Sequence, residues 1–278
     1  MNRNFAYSLF ALSMMALPAY ATDHEDAAAP VAAEAEHAPA AEEHAAAAHH
    51  GPHFEKQKWS FNGIFGTYDR ASLQRGFEVY RQVCSACHSM NRLYYRDLTA
   101  IGFSEDQVKA IASEYNVTDG PNDEGEMFDR PAKPSDHFKA PFANVKAAAY
   151  ANNGAYPPDM SLLAKARHGG ADYIYGILNG YEEPPAGTTL LAGQHWNKTM
   201  PGNIIAMAPP LADGQISYED GTEGTLKQYA HDVATFLTWA SEPHMEVRKQ
   251  IGIRAFLYML VFTLVMYGVK KKIWRKIH

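Results

Sequence analysis

The stretch Cys84-Ser85-Ala86-Cys87-His88 contains the only two cysteines among 278 residues. Its spacing, C-x-x-C-H, is the attachment signature of c-type haem. Two thiols three positions apart can form thioethers with the two vinyl groups of one porphyrin, and the histidine that follows can bind the iron. A structural disulfide is the alternative in an exported chain, although a bridge across so short a loop would constrain the unfolded chain very little. The motif therefore predicts one covalent haem, held by Cys84 and Cys87 with His88 as an iron ligand.

The residues before the motif predict an amphipathic helix from about Ser72 to the cysteines. Leu73, Phe77 and Tyr80 recur on one helical face. Gly76 beside that face would let another helix approach closely, so a second helix is expected to pack here.

Other segments predict further helices and long loops. Residues 104–107 match a capping box at a helix start, and residues 159–167 and 172–178 have helical patterns. A last helix in the same domain is expected to start at Thr225 with a second capping box and to stop before Pro243. Residues 116–158 are rich in Pro, Gly, Asn and Asp and predict mostly loop, and no strand pattern stands out.

A haem that carries electrons needs a second axial ligand, because an open iron site binds small molecules instead. A methionine thioether suits this role, since Met/His ligation raises the reduction potential. Two downstream methionines, Met200 and Met207, lie in irregular segments late in the domain. The apolar residues 204–206 before Met207 and the two prolines after it favour Met207. Met200 stays open as the alternative, and a buried methionine is often only core filler.

The charge of the chain is divided between an acidic body and a basic tail. Residues 22–249 carry 18 Lys or Arg and 31 Asp or Glu, a net charge of −13, whereas residues 250–278 carry six basic residues and no acidic one. An acidic body argues against nucleic acid, which needs basic side chains to neutralise phosphate. It fits a basic protein partner attracted over a distance.

Both ends of the sequence have the features of membrane-targeted chains. Residues 1–21 have a basic start, an apolar run and an Ala-Tyr-Ala site, which predict a signal peptide cleaved after Ala21. An uncleaved anchor is the alternative, but the run is short for a span of about 20 residues. Residues 249–269 are long and apolar enough to cross a membrane, and a buried core helix is the alternative. The basic tail 270–278 favours the anchor and stays cytoplasmic by the positive-inside rule.

Between these ends lie a low-complexity segment and a folded domain. Residues 22–53 consist mostly of Ala, Glu, Pro and His, and we expect them to be disordered because they offer little apolar surface to bury. A His-rich tract can bind metal, but its irregular spacing favours a solvated tether. The folded domain is expected over residues 54–248.

Several further stretches strengthen the haem interpretation. They are WSF at 59–61, RGFEVY at 75–80, YPPD at 156–159, ARHGG at 166–170 and IAMAPPL at 205–211. Together with the haem motif and the C-terminal apolar segment, they span about residues 54–272. In this combination the chain resembles the bacterial type of the cytochrome c1 family, the haem subunits of quinol–cytochrome c oxidoreductase (bc1) complexes.

The resemblance implies a fold and a site. The fold would be mainly α, an expanded cytochrome c-like haem domain with long loops, followed by one C-terminal transmembrane helix. His88 and Met207 would be the axial ligands of the iron of haem c, and Arg167 would neutralise a haem propionate. Pro158 and Tyr173 would line the pocket.

The resemblance also implies a role, that of an electron-transfer subunit without enzymatic activity of its own. It would accept one electron from the Rieske iron–sulfur protein and pass it to cytochrome c. Cytochrome b and membrane lipid would be further partners, in a dimeric complex of the bacterial inner membrane that the chain crosses once, with the haem domain on the periplasmic side.

Two other classes of function stay open at this point. One is a free-standing, membrane-anchored cytochrome that shuttles electrons. The other is a haem enzyme or gas sensor with an open distal site, against which Met207 speaks.

Overall fold

The computed structural model describes residues 54–275, so the predicted signal peptide, the whole low-complexity segment 22–53 and the last tail residues lie outside the described part. The helices are α1 (Arg70–Gln82), α2 (Glu105–Ser113), α3 (Val145–Ala151), α4 (Leu163–Ala166), α5 (Ala171–Asn179), α6 (Leu226–Ser241) and α7 (Met245–Trp274). Two 3-10 segments, Cys84–Ala86 and Tyr95–Ile101, connect them. Two short antiparallel pairs complete the fold, β1 (Asn116–Asp119) with β2 (Phe128–Pro131) and β3 (His195–Trp196) with β4 (Ile204–Ile205). The expected mainly α class is confirmed.

Helices α1 and α6 form the centre of the domain, and they pack against each other closely at Gly76. A Cβ atom at Gly76 would lie 2.1 Å from the backbone oxygen of Asp232 and 2.7 Å from the Cβ of Phe236. Leu73 and Phe77, on the predicted apolar face of α1, are buried at this interface. The predicted close approach of a second helix is therefore confirmed.

A buried carboxylate joins the same two helices. Asp232 on α6 is fully buried and accepts hydrogen bonds from Ser72 Oγ at 2.6 Å, Arg75 Nε at 2.8 Å and Gln228 Nε2 at 2.9 Å. Burial opposes its ionisation, but these donors together with His231 outweigh burial and hold the pKa of Asp232 below its ordinary value. The neighbouring donors compensate the negative charge of Asp232, as the burial of a carboxylate requires.

Both predicted helix starts are confirmed, but only one of the two predicted capping boxes is complete. At α2, Ser104 accepts from Gln107 N while the Gln107 side chain accepts from Ser104 N, a complete capping box. At α6, Thr225 accepts from Gln228 N at 3.2 Å. The side chain of Gln228, however, donates to Asp232 and leaves the cap incomplete.

Residues 116–158 are mostly loop, as predicted, but they also form elements that the sequence pattern did not predict. The segment contains the β1–β2 hairpin and helix α3. The hairpin is held by polar side chains, with Thr118 Oγ1 donating to Asp129 at 2.8 Å and Arg130 bridging Asp119 and Asp136. It therefore lacks the apolar alternation by which a half-buried strand is normally recognised.

Two predicted helix boundaries also differ. The helix expected over residues 159–167 shrinks to Leu163–Ala166, because the side chains of Asp159 and Ser161 accept hydrogen bonds from the chain that follows the haem motif instead. Helix α1 ends at Gln82, before the cysteines.

Helix α7 begins as part of the folded domain and continues as a long apolar rod. It starts after a break at Glu242 to His244, where Pro243 interrupts the helical chain. It is long and apolar enough to cross a membrane, with a mean hydropathy of 1.7 over its most apolar window, none of which is buried. The predicted C-terminal anchor thus corresponds to a continuous helix.

Candidate haem-binding site

The haem motif follows α1 directly. Val83 caps the helix, and a 3-10 turn then carries Cys84 while Cys87 and His88 donate their backbone N–H groups to Cys84 O at 3.1 and 2.9 Å. The turn brings the two cysteines and the histidine together on a compact loop with two free thiols. The thiols lie past the end of the helix, because the chain tightens from α-helical to 3-10 geometry at Val83.

The environments of the two thiols differ. Cys84 is buried among apolar side chains, whereas Cys87 is exposed. Burial raises the pKa of the Cys84 thiol to about 12. Apolar surroundings disfavour a thiolate but accept an uncharged thioether, which suits covalent attachment at this position.

His88 is oriented by one hydrogen bond. Its ring is only 9% exposed, and Nδ1 lies 2.8 Å from the carbonyl oxygen of Pro158. Because a carbonyl only accepts, Nδ1 carries the proton and Nε2 keeps its lone pair. Burial lowers the pKa of His88, so the ring stays neutral, which is the form that binds a metal.

Asp159 fixes the segment that supplies this carbonyl. Its carboxylate accepts from Ser89 Oγ at 2.8 Å and Asn91 N at 2.9 Å, and it also accepts from Ser161 N at 2.9 Å. Burial raises the pKa of Asp159, but these three donors outweigh burial and hold it below the ordinary value. Sequence reasoning quoted Asp159 only within the YPPD stretch and missed this role.

The two methionines that remained as candidates have different surroundings. Met207 follows β4 and is half-buried, and its backbone carbonyl accepts from Tyr181 Oη at 3.0 Å. Met200 is also half-buried, but its sulfur accepts a hydrogen bond from Tyr173 Oη at 3.6 Å. Among the residues described, Met200 is the only methionine whose sulfur has a hydrogen-bond donor. The sulfur of Met207 accepts no hydrogen bond within the described residues, which distinguishes the two thioethers.

Other methionines are placed as expected for packing or exposure. Met90, Met160 and Met245 are buried in the core, and Met127 is 60% exposed on the hairpin. A buried core methionine is already packed, and an exposed one has no surrounding protein that fixes its position. None of these four is therefore a better candidate for an iron ligand than Met207.

The remaining predicted pocket residues lie in and before helix α5. Arg167 ends α4 and is exposed, and within residues 54–275 its guanidinium donates only to Ala166 O at 3.2 Å. Tyr173 is buried on α5, and Phe54 packs edge-on to it with ring centres 6.3 Å apart. Pro158 is exposed at its ring, and its carbonyl is the acceptor for His88.

Taken together, the donor set fits a c-type haem. Covalent attachment needs two thiols, which the two cysteines supply. The iron needs two ligands, for which a neutral histidine with a free Nε2 and a free methionine thioether are present. A propionate needs a cation, for which there is a guanidinium without a carboxylate partner in the described structure.

A model of the Cytochrome C1 family matches residues 59–277, most of the sequence. The chain belongs to the cytochrome c1 family. It is therefore a haem-containing electron-transfer protein, and the prediction of covalent haem c is confirmed.

Curated relatives of the cytochrome c1 family agree. Cytochrome c1 of Rhodospirillum rubrum is 47% identical over 80% of this chain and 88% of its own length. "Cytochrome c1-2, heme protein, mitochondrial" of Solanum tuberosum is 50% identical over 75% of this chain and 79% of its own. "Cytochrome b/c1" of Bradyrhizobium diazoefficiens is 45% identical over 80% of this chain, which spans only 35% of that longer protein.

Proposed function

We propose that the chain is the electron-transfer subunit of a bc1 complex, taking one electron from a Rieske iron–sulfur protein and delivering it to cytochrome c. The observation that carries the proposal is the joining of a c-type haem motif to a membrane-length helix in a chain of this family. The name of the Bradyrhizobium relative, which pairs cytochrome b with c1, supports cytochrome b as a partner.

Each site residue has a part in this proposal. Cys84 and Cys87 would hold the haem by thioethers, and His88 and Met207 would be the residues that bind its iron. Haem supplies a centre that gains and loses one electron while the protein tunes its potential and access. Arg167 neutralises a propionate, since its planar fork matches a carboxylate.

Hydrogen bonds to neighbouring residues orient the histidine ligand. The Nδ1–H of His88 donates to Pro158 O, which fixes the ring and makes Nε2 a stronger donor to iron. Asp159 keeps Pro158 in place through its bonds to Ser89 and Asn91. Tyr173 donates its hydroxyl to the sulfur of Met200, so this thioether already has a partner.

The proposed arrangement in the membrane follows from the sequence. A signal peptide over residues 1–21 sends the domain 54–248 to the periplasm of a bacterial cell, residues 249–269 cross the inner membrane and residues 270–278 stay in the cytoplasm. The long exposed apolar helix α7 supports this arrangement.

Reduction of a basic cytochrome c is expected to slow steeply as salt rises. When salt screens an acidic surface of this kind, the rate of electrostatically steered association falls on the order of tenfold or more. The measurement is stopped-flow reduction of cytochrome c by the purified complex across ionic strengths.

Three carboxylates near the tip of the β1–β2 hairpin allow the same experiment to test which acidic residues attract cytochrome c. Asp123, Glu124 and Glu126 are exposed and have no ion-pair partner in the described structure, whereas Glu182 pairs with Lys198. Neutralising the three (Asp123→Asn, Glu124→Gln, Glu126→Gln) should lower the low-salt rate more than Glu182→Gln. A reduction rate that does not change with salt would contradict electrostatic steering. A different observation, purification of the chain without a b-type cytochrome, would favour a free-standing shuttle over a subunit of a complex.

A further inference from the structure

The loop Phe61–Gly66 presents two apolar side chains that the folded domain leaves uncovered. Ile64 is 68% exposed and Phe65 is 82% exposed, whereas Phe61 at the base of the loop is 7% exposed. The turn is tight: Gly63 has a φ of +75°, and a Cβ at Gly66 would lie 2.1 Å from Asn62 O. Two neighbouring apolar residues at the tip of a closed turn are unusual on a surface that faces water only.

Hydrogen bonds attach this loop to the start of α7. Lys249 Nζ donates to Phe61 O at 2.7 Å and to Gly66 O at 3.0 Å, so one ammonium group holds both ends of the turn. Glu246 accepts from Tyr68 N at 2.7 Å. Tyr68 Oη, in turn, donates to Glu242 O at 3.2 Å.

These contacts give the loop a direction relative to the helix. The partners on the helical chain advance from Glu242 to Glu246 to Lys249, while the loop chain runs back from Tyr68 to Gly66. From Tyr68 to Gly66 the loop therefore runs along α7 toward the apolar end of that helix. Phe65 is the residue that follows Gly66 in this direction.

The level reached by the loop matches the edge of a bilayer. The apolar part of α7 starts at Ile251, and at 1.5 Å per residue the Cα of Lys249 lies about 3 Å before it along the axis. The headgroup layer on each side of a bilayer is roughly 5–8 Å thick. A loop bonded to Lys249 thus lies within that layer when residues 249–269 span the membrane.

We propose that Ile64 and Phe65 insert into the interface of the lipid bilayer and form a second membrane contact beside α7. The proposal rests on the proposed membrane anchoring of the chain. Apolar side chains at the headgroup–acyl boundary gain binding energy in proportion to the area they bury. A single helix leaves the domain free to swivel about its axis, and a second contact restrains the domain's orientation over the bilayer.

The test places a nitroxide label on the haem-loaded full chain in phosphatidylcholine vesicles. Phe65→Cys supplies a unique thiol, because Cys84 and Cys87 are consumed by the haem, and the exposed side chain can be replaced without disturbing the core. Power-saturation spectroscopy of the reduced protein then compares accessibility to oxygen, which concentrates in lipid, with accessibility to a water-soluble nickel chelate. We expect a ratio of oxygen to nickel accessibility several-fold higher than at an aqueous control site.

Two matched controls define the outcomes. Tyr150→Cys, at a 92% exposed position on α3, reports water, and Phe256→Cys, at a 68% exposed position on α7, reports lipid. A water-like label at Phe65 beside a lipid-like label at Phe256 would overturn the inference and leave the anchor intact. A water-like label at Phe256 would overturn both. A label at Phe65 shielded from both reagents would mean that protein covers the loop, which also overturns the inference.

Discussion

Replacing Met207 with leucine is expected to lower the reduction potential of the chain by a few hundred millivolts, a sizeable part of the roughly 0.8 V range that axial ligands control. Leucine keeps the apolar volume but has no lone pair for iron. The thioether that stabilises the reduced state is lost while Cys84, Cys87 and His88 still hold the cofactor. Redox titration with optical detection measures the shift.

Met200→Leu is the matched control for this experiment. Met200 is half-buried like Met207, but its sulfur already accepts a hydrogen bond from Tyr173. Its replacement should change the potential only slightly, and carbon monoxide should bind the reduced Met207→Leu chain but not the reduced Met200→Leu chain. A large fall with Met200→Leu and none with Met207→Leu would assign the ligand to Met200.

Gly76→Ala is expected to destabilise the domain by about 2 kcal/mol. Alanine gains about 1 kcal/mol of helix propensity over glycine. Its Cβ, however, would lie 2.1 Å from the backbone oxygen of Asp232, and overpacking of this kind costs about 3 kcal/mol. Because a backbone oxygen cannot rotate away as a side chain can, the steric cost exceeds the gain. Thermal unfolding of the haem-loaded chain, followed by circular dichroism, measures the difference.

Gly252→Ala provides the comparison for this prediction. Gly252 is also helical, but no atom lies within 4 Å of the position of its added Cβ. This variant should match or slightly exceed the stability of the unmodified chain. Equal stability of the two variants would mean that α1 and α6 can separate at no cost, which contradicts the close packing at Gly76.

Much of the fold could be predicted because apolar periodicity reports what a helix buries. The face of α1 at Leu73 and Phe77, the helix start at Ser104 and the break at Pro243 all follow from local rules. The β1–β2 hairpin was missed because its strands are held by polar side chains. The bonds from Lys249 to the Phe61–Gly66 loop join residues more than 180 positions apart, and no local pattern encodes them.

The part of the site that consists of consecutive residues could be predicted from the sequence. Cys84, Cys87 and His88 follow from one motif. Spacing leaves Met200 open beside Met207, because both precede proline in irregular chain. The hydrogen bond from Tyr173 to the sulfur of Met200, which distinguishes the two, appears only in the folded chain. Asp159 acts through hydrogen bonds to the haem-motif loop 68 and 70 positions away, so its role needs the folded chain.

The covalent link between haem and Cys84 and Cys87 is tested most directly by measuring haem on the unfolded polypeptide. The full chain, made in cells with haem-ligation machinery, is denatured and extracted with acidic acetone, and bound haem is quantified as its pyridine haemochrome. One haem per chain should stay with the protein, and Cys84→Ser with Cys87→Ser should remove it. A denatured, unmodified chain without haem would contradict the assignment of these cysteines as attachment sites.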